Sequence, residues 1–194
     1  MPKHTLAGMQ PCAVTEPHAG PFLPHDLGEG AELVLRDLST VTELHRLTVA
    51  NLHRLRQWEN WAHTEQTEEA VRAYTRRQLS ALADGTALPL AIRQDGRLVG
   101  SVGARIDPQR IAELGYWVDA GVEGRGLVTR SVTAVLGHLA QEREVRRFEI
   151  RTAASNRRSR AVAERCGFTL EGILEAAFPV AGERHDAALY SRLA

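Results

Sequence analysis

Between an apolar run, Ile111 to Val118, and a helically spaced set, Val128, Val132, Val135, Leu136 and Leu139, stands Asp119-Ala-Gly-Val-Glu-Gly-Arg-Gly126. A strand that ends in glycines and re-enters a helix at once lays that helix on a face of its sheet, so the chain is committed to layers of helix on sheet. Glycines at 124 and 126 let the backbone come close to a ligand. The unpaired amides at the following helix start, with the helix dipole, favour a pyrophosphate there. The same residues also serve as a tight turn that holds no ligand. Two nucleotide-binding readings fall away. The dinucleotide fingerprint needs a further glycine where Thr129 stands, and no Gly-Lys-Ser/Thr phosphate loop occurs.

The flanking signals fill in the layers. Leu33 to Leu35 reads as a strand, and Thr40-Val-Thr-Glu43 has the spacing of a capping box, which predicts a helix through Leu44, Leu47, Leu52 and Leu55. That pattern breaks at Arg56-Gln-Trp-Glu-Asn-Trp61. A second helix is predicted from Thr67, with Glu68 and Glu69 at its positive end, to a stop at Asp84-Gly85. Leu88–Ile92 and Leu98–Ile106 form a hairpin about Asp95-Gly96. Phe148 and Ile150 alternate in a strand, Asn156 caps a helix that Gly167 ends, and Phe168–Leu174, Ala176–Val180 and His185–Leu193 read as short strands. The order β, α, α, β, β, β, α, β, α, β, β predicts an α/β (α+β) domain with helices covering a mainly antiparallel sheet.

A length of 194 residues with 43% hydrophobic residues suits one domain with its own core. Residues 1–30 hold five of the eight prolines and no periodicity. They read as an N-terminal extension, either disordered or laid against the body as an extended strap, with Phe22 and Leu23 as its anchors; residues 31–194 are the domain. The formal net charge of zero gives no bulk electrostatic case for nucleic acid or an anionic membrane. No apolar run is long enough for a spanning helix and no signal-peptide stretch occurs in the first 30 residues, so a cytoplasmic protein is expected. Cys12 and Cys166 read as free thiols. His45, His53 and His63 do not share one helical face, and no metal is expected.

Leu114-Gly-Tyr-Trp-Val118, Gly124-Arg-Gly-Leu127, Thr152 to Ser159 with Asn156, Arg165-Cys-Gly-Phe-Thr-Leu-Glu-Gly172 and Leu55-Arg-Gln-Trp-Glu-Asn-Trp61 together resemble the GNAT acetyltransferase superfamily, in particular its RimJ/RimL-like subgroup. The likeness runs from about Glu32 to the C-terminus. It implies a mixed, mainly antiparallel sheet of about six to seven strands flanked by about four helices. It implies an acetyl-CoA site in which Glu123, Gly124, Arg125, Gly126, Leu127, Val128 and Thr129 surround the pyrophosphate, Tyr116, Trp117 and Val118 follow the pantetheine, and Asn156 and Ser159 lie near the thioester. The implied reaction is acetyl transfer to a primary amine, with a protein or peptide N-terminal α-amine, such as that of a ribosomal protein, as acceptor. A small amine (an antibiotic or polyamine) or an inactive CoA-binding or partner-binding module are the alternatives; the resemblance implies neither nucleic acid nor membrane as partner and admits a homodimer. Three positions depart from the superfamily's usual residues: Glu123, Val128, and Phe178, where some relatives carry a carboxylate.

Direct transfer needs a neutral amine, a donor for the oxyanion and a proton for the departing thiolate. On this reading the Val118 amide is the donor, and Ser159, three residues past Asn156, is the acid unless it is an ordinary first-turn serine. Glu113 is the candidate base, with a structural pairing to an arginine as the other reading. Trp58 and Trp61 flank the acceptor, with Arg54, Arg56 and Glu59 to read its charge, or else pack in the core. Arg125, Arg130, Arg157, Arg158 and Arg160 neutralise phosphates or are merely solvated.

Overall fold

The computed structural model describes residues 22–194. Eight strands form one sheet: β1 (His25–Gly28), β2 (Ala31–Leu35), β3 (Ala87–Gln94), β4 (Arg97–Ile106), β5 (Ile111–Val118), β6 (Arg147–Ala153), β7 (Thr169–Val180) and β8 (Glu183–Leu193), in the order β1-β2-β3-β4-β5-β6-β8-β7. All neighbours pair antiparallel except β5 and β6, which are parallel. Parallel neighbours need a crossover, and α4 (Leu127–Glu142) supplies it. The other helices are α1 (Val41–Ala50), α2 (Leu52–Leu55), α3 (Glu68–Ala83) and α5 (Arg157–Arg165). None of the described helices is long and apolar enough to cross a membrane.

Strand alternation divides the core in two. Leu33 and Ile92 face the larger cluster, with Val132, Val135 and Leu139 of α4 and Val162 and Ala163 of α5. Their neighbours Val34 and Ala91 face the smaller one, with Val41 and Leu44 of α1 and Val71 of α3. Helices thus cover both faces, and β3 is buried on both.

Four expectations change. The sheet has eight strands because β1 lies inside the stretch read as an extension and pairs with β2; Phe22 stacks on His138 at 3.9 Å and packs with Leu23 against the larger cluster. Residues 1–21, including Cys12, lie outside the described residues. The helices number five because the leucine run from 44 to 55 breaks at Asn51 into α1 and α2. The capping box at Thr40 does not form: a 3-10 turn, Leu38–Thr40, precedes α1 and is capped by Asp37, whose Oδ1 accepts from the Ser39 amide at 2.8 Å, while Glu43 accepts from the Leu98 amide at 2.8 Å. Phe168–Leu174 and Ala176–Val180 are one strand, β7, with a register shift between Leu174 and Phe178 where Ala176 takes a positive φ of 51°.

One pairing positions the site. β5 and β6 pair only at Ile111–Arg147, Ala112–Phe148 and Glu113–Glu149. Beyond these each keeps its outer neighbour, to Gly100–Val118 on one side and Ala153–Ala187 on the other, so the two strands part. Gly100 lets β4 hold the end of β5 closely: a Cβ there would lie 2.5 Å from the Trp117 carbonyl oxygen and 2.8 Å from Val118 Cγ1. Backbone on one side and a stiff β-branched side chain on the other leave little room to give. Gly100→Ala is therefore expected to destabilise the fold by about 1–3 kcal/mol in urea denaturation. Gly115→Ala, where a Cβ meets nothing within 4 Å, is the control and should cost little or stabilise slightly.

Candidate active site

Where β5 and β6 part, a cleft of about 1080 Å³ opens, bounded by both strands, the turn into α4, the start of α5 and the α1–α2 corner. Its wall carries backbone donors. The Asp119 amide donates to the Val99 carbonyl at 2.7 Å, so by strand alternation the Val118 amide turns the other way, into the gap β6 has left. The turn brings more. Asp119 Oδ1 accepts from the Gly121 amide at 2.7 Å, Gly124 and Gly126 take φ of 76° and 72°, and α4 begins at Gly126 with no side-chain cap. Its first-turn amides therefore lack a side-chain partner, at the positive end of a 16-residue helix and beside the cleft-lining residues Leu127, Val128 and Thr129. Arg130, Arg151, Arg157, Arg158 and Arg165 add positive charge to the lining.

Midway along the cleft two hydroxyls meet. Asn156 caps α5, accepting from the Ser159 amide at 3.1 Å, and the Tyr116 hydroxyl lies 3.1 Å from both Ser159 Oγ and the Ser159 carbonyl oxygen. Burial pushes the Tyr116 pKa up to about 12, against the hydrogen bond from Ser159 that opposes it, so this phenol keeps its proton at neutral pH.

Asn51 joins the cleft's walls, and the sequence reading missed it. It is buried; Nδ2 donates to Asp119 Oδ2 at 2.7 Å and to the Leu47 carbonyl at 3.0 Å, while Oδ1 accepts from the Ala120 amide and Arg54 Nη1, each at 3.2 Å. Its signal was the break in the leucine spacing. Arg54 in turn bonds Glu123, whose other oxygen lies 3.1 Å from Arg158 Nη1. Glu123 thus ties α2 to α5 across the turn.

The cleft gathers most of the residues singled out above, including Trp58, Tyr116, Trp117, Val118, Glu123, Gly124, Gly126, Asn156, Ser159 and Phe178. It does not gather Glu113. That residue sits at the last β5–β6 pair, directly opposite Arg105 on β4, and its Oε2 lies 2.7 Å from Arg105 Nη2 at the closed end of the sheet; the arginine pairing is the one the structure shows, outside the cleft's lining. Trp61 is 40% exposed, outside the lining and outside the core, and donates from Nε1 to Glu59 Oε2 at 2.7 Å. Arg125 also lies outside the lining, its carbonyl accepting from Arg130 Nη1. Arg160 is structural, bonded to the Tyr190 hydroxyl and the Ala154 carbonyl. Cys166 is buried, and burial pushes its thiol up, away from nucleophilic use.

The Acetyltransferase (GNAT) domain family matches residues 32–169. The chain belongs to the GNAT acetyltransferase family. It is 33% identical over 169 residues, 86% of this chain and 94% of the relative, to the ribosomal-protein-serine acetyltransferase of Escherichia coli (strain K12). RimL, a ribosomal alpha-N-protein acetyltransferase solved in complex with coenzyme A, superposes with a TM-score of 0.83 at 30% identity, covering 87% of this chain and 96% of its own. The microcin C7 self-immunity acetyltransferase MccE, in complex with acetyl-CoA and AMP, does so with a TM-score of 0.82 at 26% identity, covering 87% and 94%. In this GNAT chain the parted strands, the uncapped helix start and the Asn51 stitch make one continuous wall. Asn51→Ala would leave the Asp119 carboxylate and the Ala120 amide without their buried partner, and is expected to cost about 1–3 kcal/mol in urea denaturation, with the midpoint lowered.

Proposed function

We propose that this acetyltransferase uses acetyl-CoA to acetylate the N-terminal α-amine of a protein or peptide in the cytoplasm. The observation that carries the reading is the parting of β5 and β6 beyond Glu113 and Glu149, next to an α4 start whose amides have no side-chain cap. Backbone donors of this kind suit a pyrophosphate, and the guanidinium groups along the same lining suit the remaining phosphate charge. Acetyl-CoA, when bound, supplies an acetyl group activated as a thioester.

The chain's residues supply the rest. The amides of residues 124–129 hold the pyrophosphate, and Tyr116, Trp117 and Val118 line the path to the reacting centre. The Val118 N–H donates to the carbonyl oxygen as that oxygen gains charge. Ser159 donates a proton to the departing sulfur, and Tyr116, protonated at neutral pH, returns one to the serine oxygen through their 3.1 Å contact. Transfer is direct, by attack of the amine on the thioester, with no cysteine among the described residues that line the cleft. Trp58 borders the acceptor side, and the acceptor class follows the relatives, which are ribosomal-protein acetyltransferases by name.

Thiol release measured with ribosomal-protein N-terminal peptides, polyamines and aminoglycosides tests the acceptor. The peptides are expected to have the highest kcat/KM; faster turnover of a small amine moves the enzyme to that class. Ser159→Ala is expected to slow the chemical step in rapid-quench experiments by about 10²-fold, the lower end for general acid catalysis because water partly substitutes, with acetyl-CoA affinity nearly unchanged. An unchanged step would pass the acid role to Tyr116.

A further inference from the structure

We propose that Glu59 is the general base that takes the proton from the acceptor's ammonium group, a role that rests on the acetyltransferase reading above. An α-amine is largely protonated below its pKa of about 8 and is not nucleophilic in that form. A group in the cleft that accepts a proton lets the enzyme use the amine in its prevalent, protonated form. The cleft's described lining contains no histidine, lysine, cysteine or aspartate. Apart from Tyr116 and the arginines, the titratable groups in it are Glu59 and Glu123.

Glu123 is already occupied, one carboxylate oxygen by Arg54 and the other by Arg158. Glu59 is not. Its Oε2 accepts from Trp61 Nε1 at 2.7 Å, and Oε1 accepts no hydrogen bond from the described residues. One oxygen is thus held while the other is free to accept a substrate N–H. Burial raises the Glu59 pKa, and the Trp61 hydrogen bond opposes that rise. The direction brings it toward the range of a useful base.

The loop that carries Glu59 is built rather than loose. The Glu59 amide donates to the Leu55 carbonyl at 2.8 Å, Arg56 Nε donates to the Ala62 carbonyl at 3.2 Å, and the His63 ring bonds the Arg56 carbonyl at 2.8 Å. Asn60 Oδ1 accepts from the Ala181 amide at 3.3 Å, tying this loop to the β7–β8 hairpin that brings Phe178 into the lining. Trp58 and Phe178 give the acceptor end apolar walls. Of the charged groups on the surrounding elements, Arg151 of β6 and Arg157 of α5 line the same cleft, and others are already paired. Arg54 and Arg158 are on Glu123; on the hairpin Arg184 donates to the Ala176 carbonyl and Glu183 lies 3.9 Å from His185.

The protons balance. One passes from the ammonium to Glu59 and on to water. Glu59, emptied to water, takes the second as the C–N bond forms and the C–S bond breaks; it too passes to water, and water returns one proton to Tyr116 for the one relayed through Ser159 to sulfur.

Glu59→Gln keeps the size and can still accept from Trp61, so the fold should persist; its melting temperature and its acetyl-CoA affinity by calorimetry should match the wild type. With the best peptide acceptor, kcat/KM at pH 6.5 is expected to fall by about 10²-fold. The deficit should shrink as pH rises past the α-amine's own pKa, because the acceptor then arrives neutral. In Trp61→Phe, which removes the opposing hydrogen bond, the Glu59 pKa should rise, so the acidic limb of kcat/KM should move to higher pH. A Gln variant with full activity at pH 6.5, or a deficit constant with pH, would overturn the base role while leaving the acetyltransferase reading standing. A wild-type protein that turns over no amine at any pH would overturn that reading, and the base role with it.

Discussion

Backbone amides and carbonyls inside a protein must be paired, and the sheet of this protein stops pairing them at one place. After Glu113 and Glu149 the inward edges of β5 and β6 face a cleft instead of each other. Each strand stays anchored on its far side, β5 by β4 to Val118 and β6 by β8 to Ala153, so the gap is held open by sheet structure and not by a loop. The unpaired edge is open to any molecule with complementary groups laid along it. A ligand that accepts from such an edge gains hydrogen bonds on a backbone that needs no reorganisation, which is what a site for a long, extended co-substrate requires. Gly100 belongs to this device as much as any lining residue, since a side chain there would push the end of β5 toward the gap.

The same cleft needs its acceptor side fixed against its cofactor side, and polar stitching does this. Asn51 holds the α1–α2 corner on Asp119 and Ala120, and Arg54 extends the contact to Glu123 and Arg158. Arg158 is mostly exposed, so its pair with Glu123 contributes little to stability. The buried amide of Asn51 contributes more, because removing it strands two partners at once. Glu123 also clarifies a departure from the superfamily's usual residue: a carboxylate at this point of the turn is accommodated by two guanidinium groups and leaves the amides beyond it free.

Much of this was legible in the residue pattern, because it depends on local chemistry. The Asp95-Gly96 hairpin, the helix start at Thr67, the Asn156 cap and the turn at Gly124 and Gly126 are each written into a few consecutive residues, and the structure places them as read. What was not legible depends on pairing at long range. β1 is a strand because β2 is beside it, while its own sequence, His25 to Gly28, carries no alternation. The Thr40 capping box failed because Glu43 found the Leu98 amide, 55 residues away. Glu113 looked like a site carboxylate since it stands one residue before the motif, yet the register sets it opposite Arg105. Asn51 and Glu59 look like ordinary polar residues until the fold shows what lies beside them.

Amine acetylation must remove a proton at one end of the cleft and deliver one at the other, and the environments here are tuned in step with those tasks. Tyr116 is buried with a hydroxyl partner and no opposing charge strong enough to ionise it, so burial favours the protonated phenol beside Ser159. Glu59 is shifted by the same physical cause, burial, but a carboxylate starts far lower, so the shift moves it toward a better proton acceptor. One mechanism, desolvation, thus pushes a phenol away from ionisation and a carboxylate toward usefulness. The difference between donor and acceptor is carried by the choice of side chain at each end of the cleft, with the half-buried Trp58 and Phe178 lining the end that Glu59 shares.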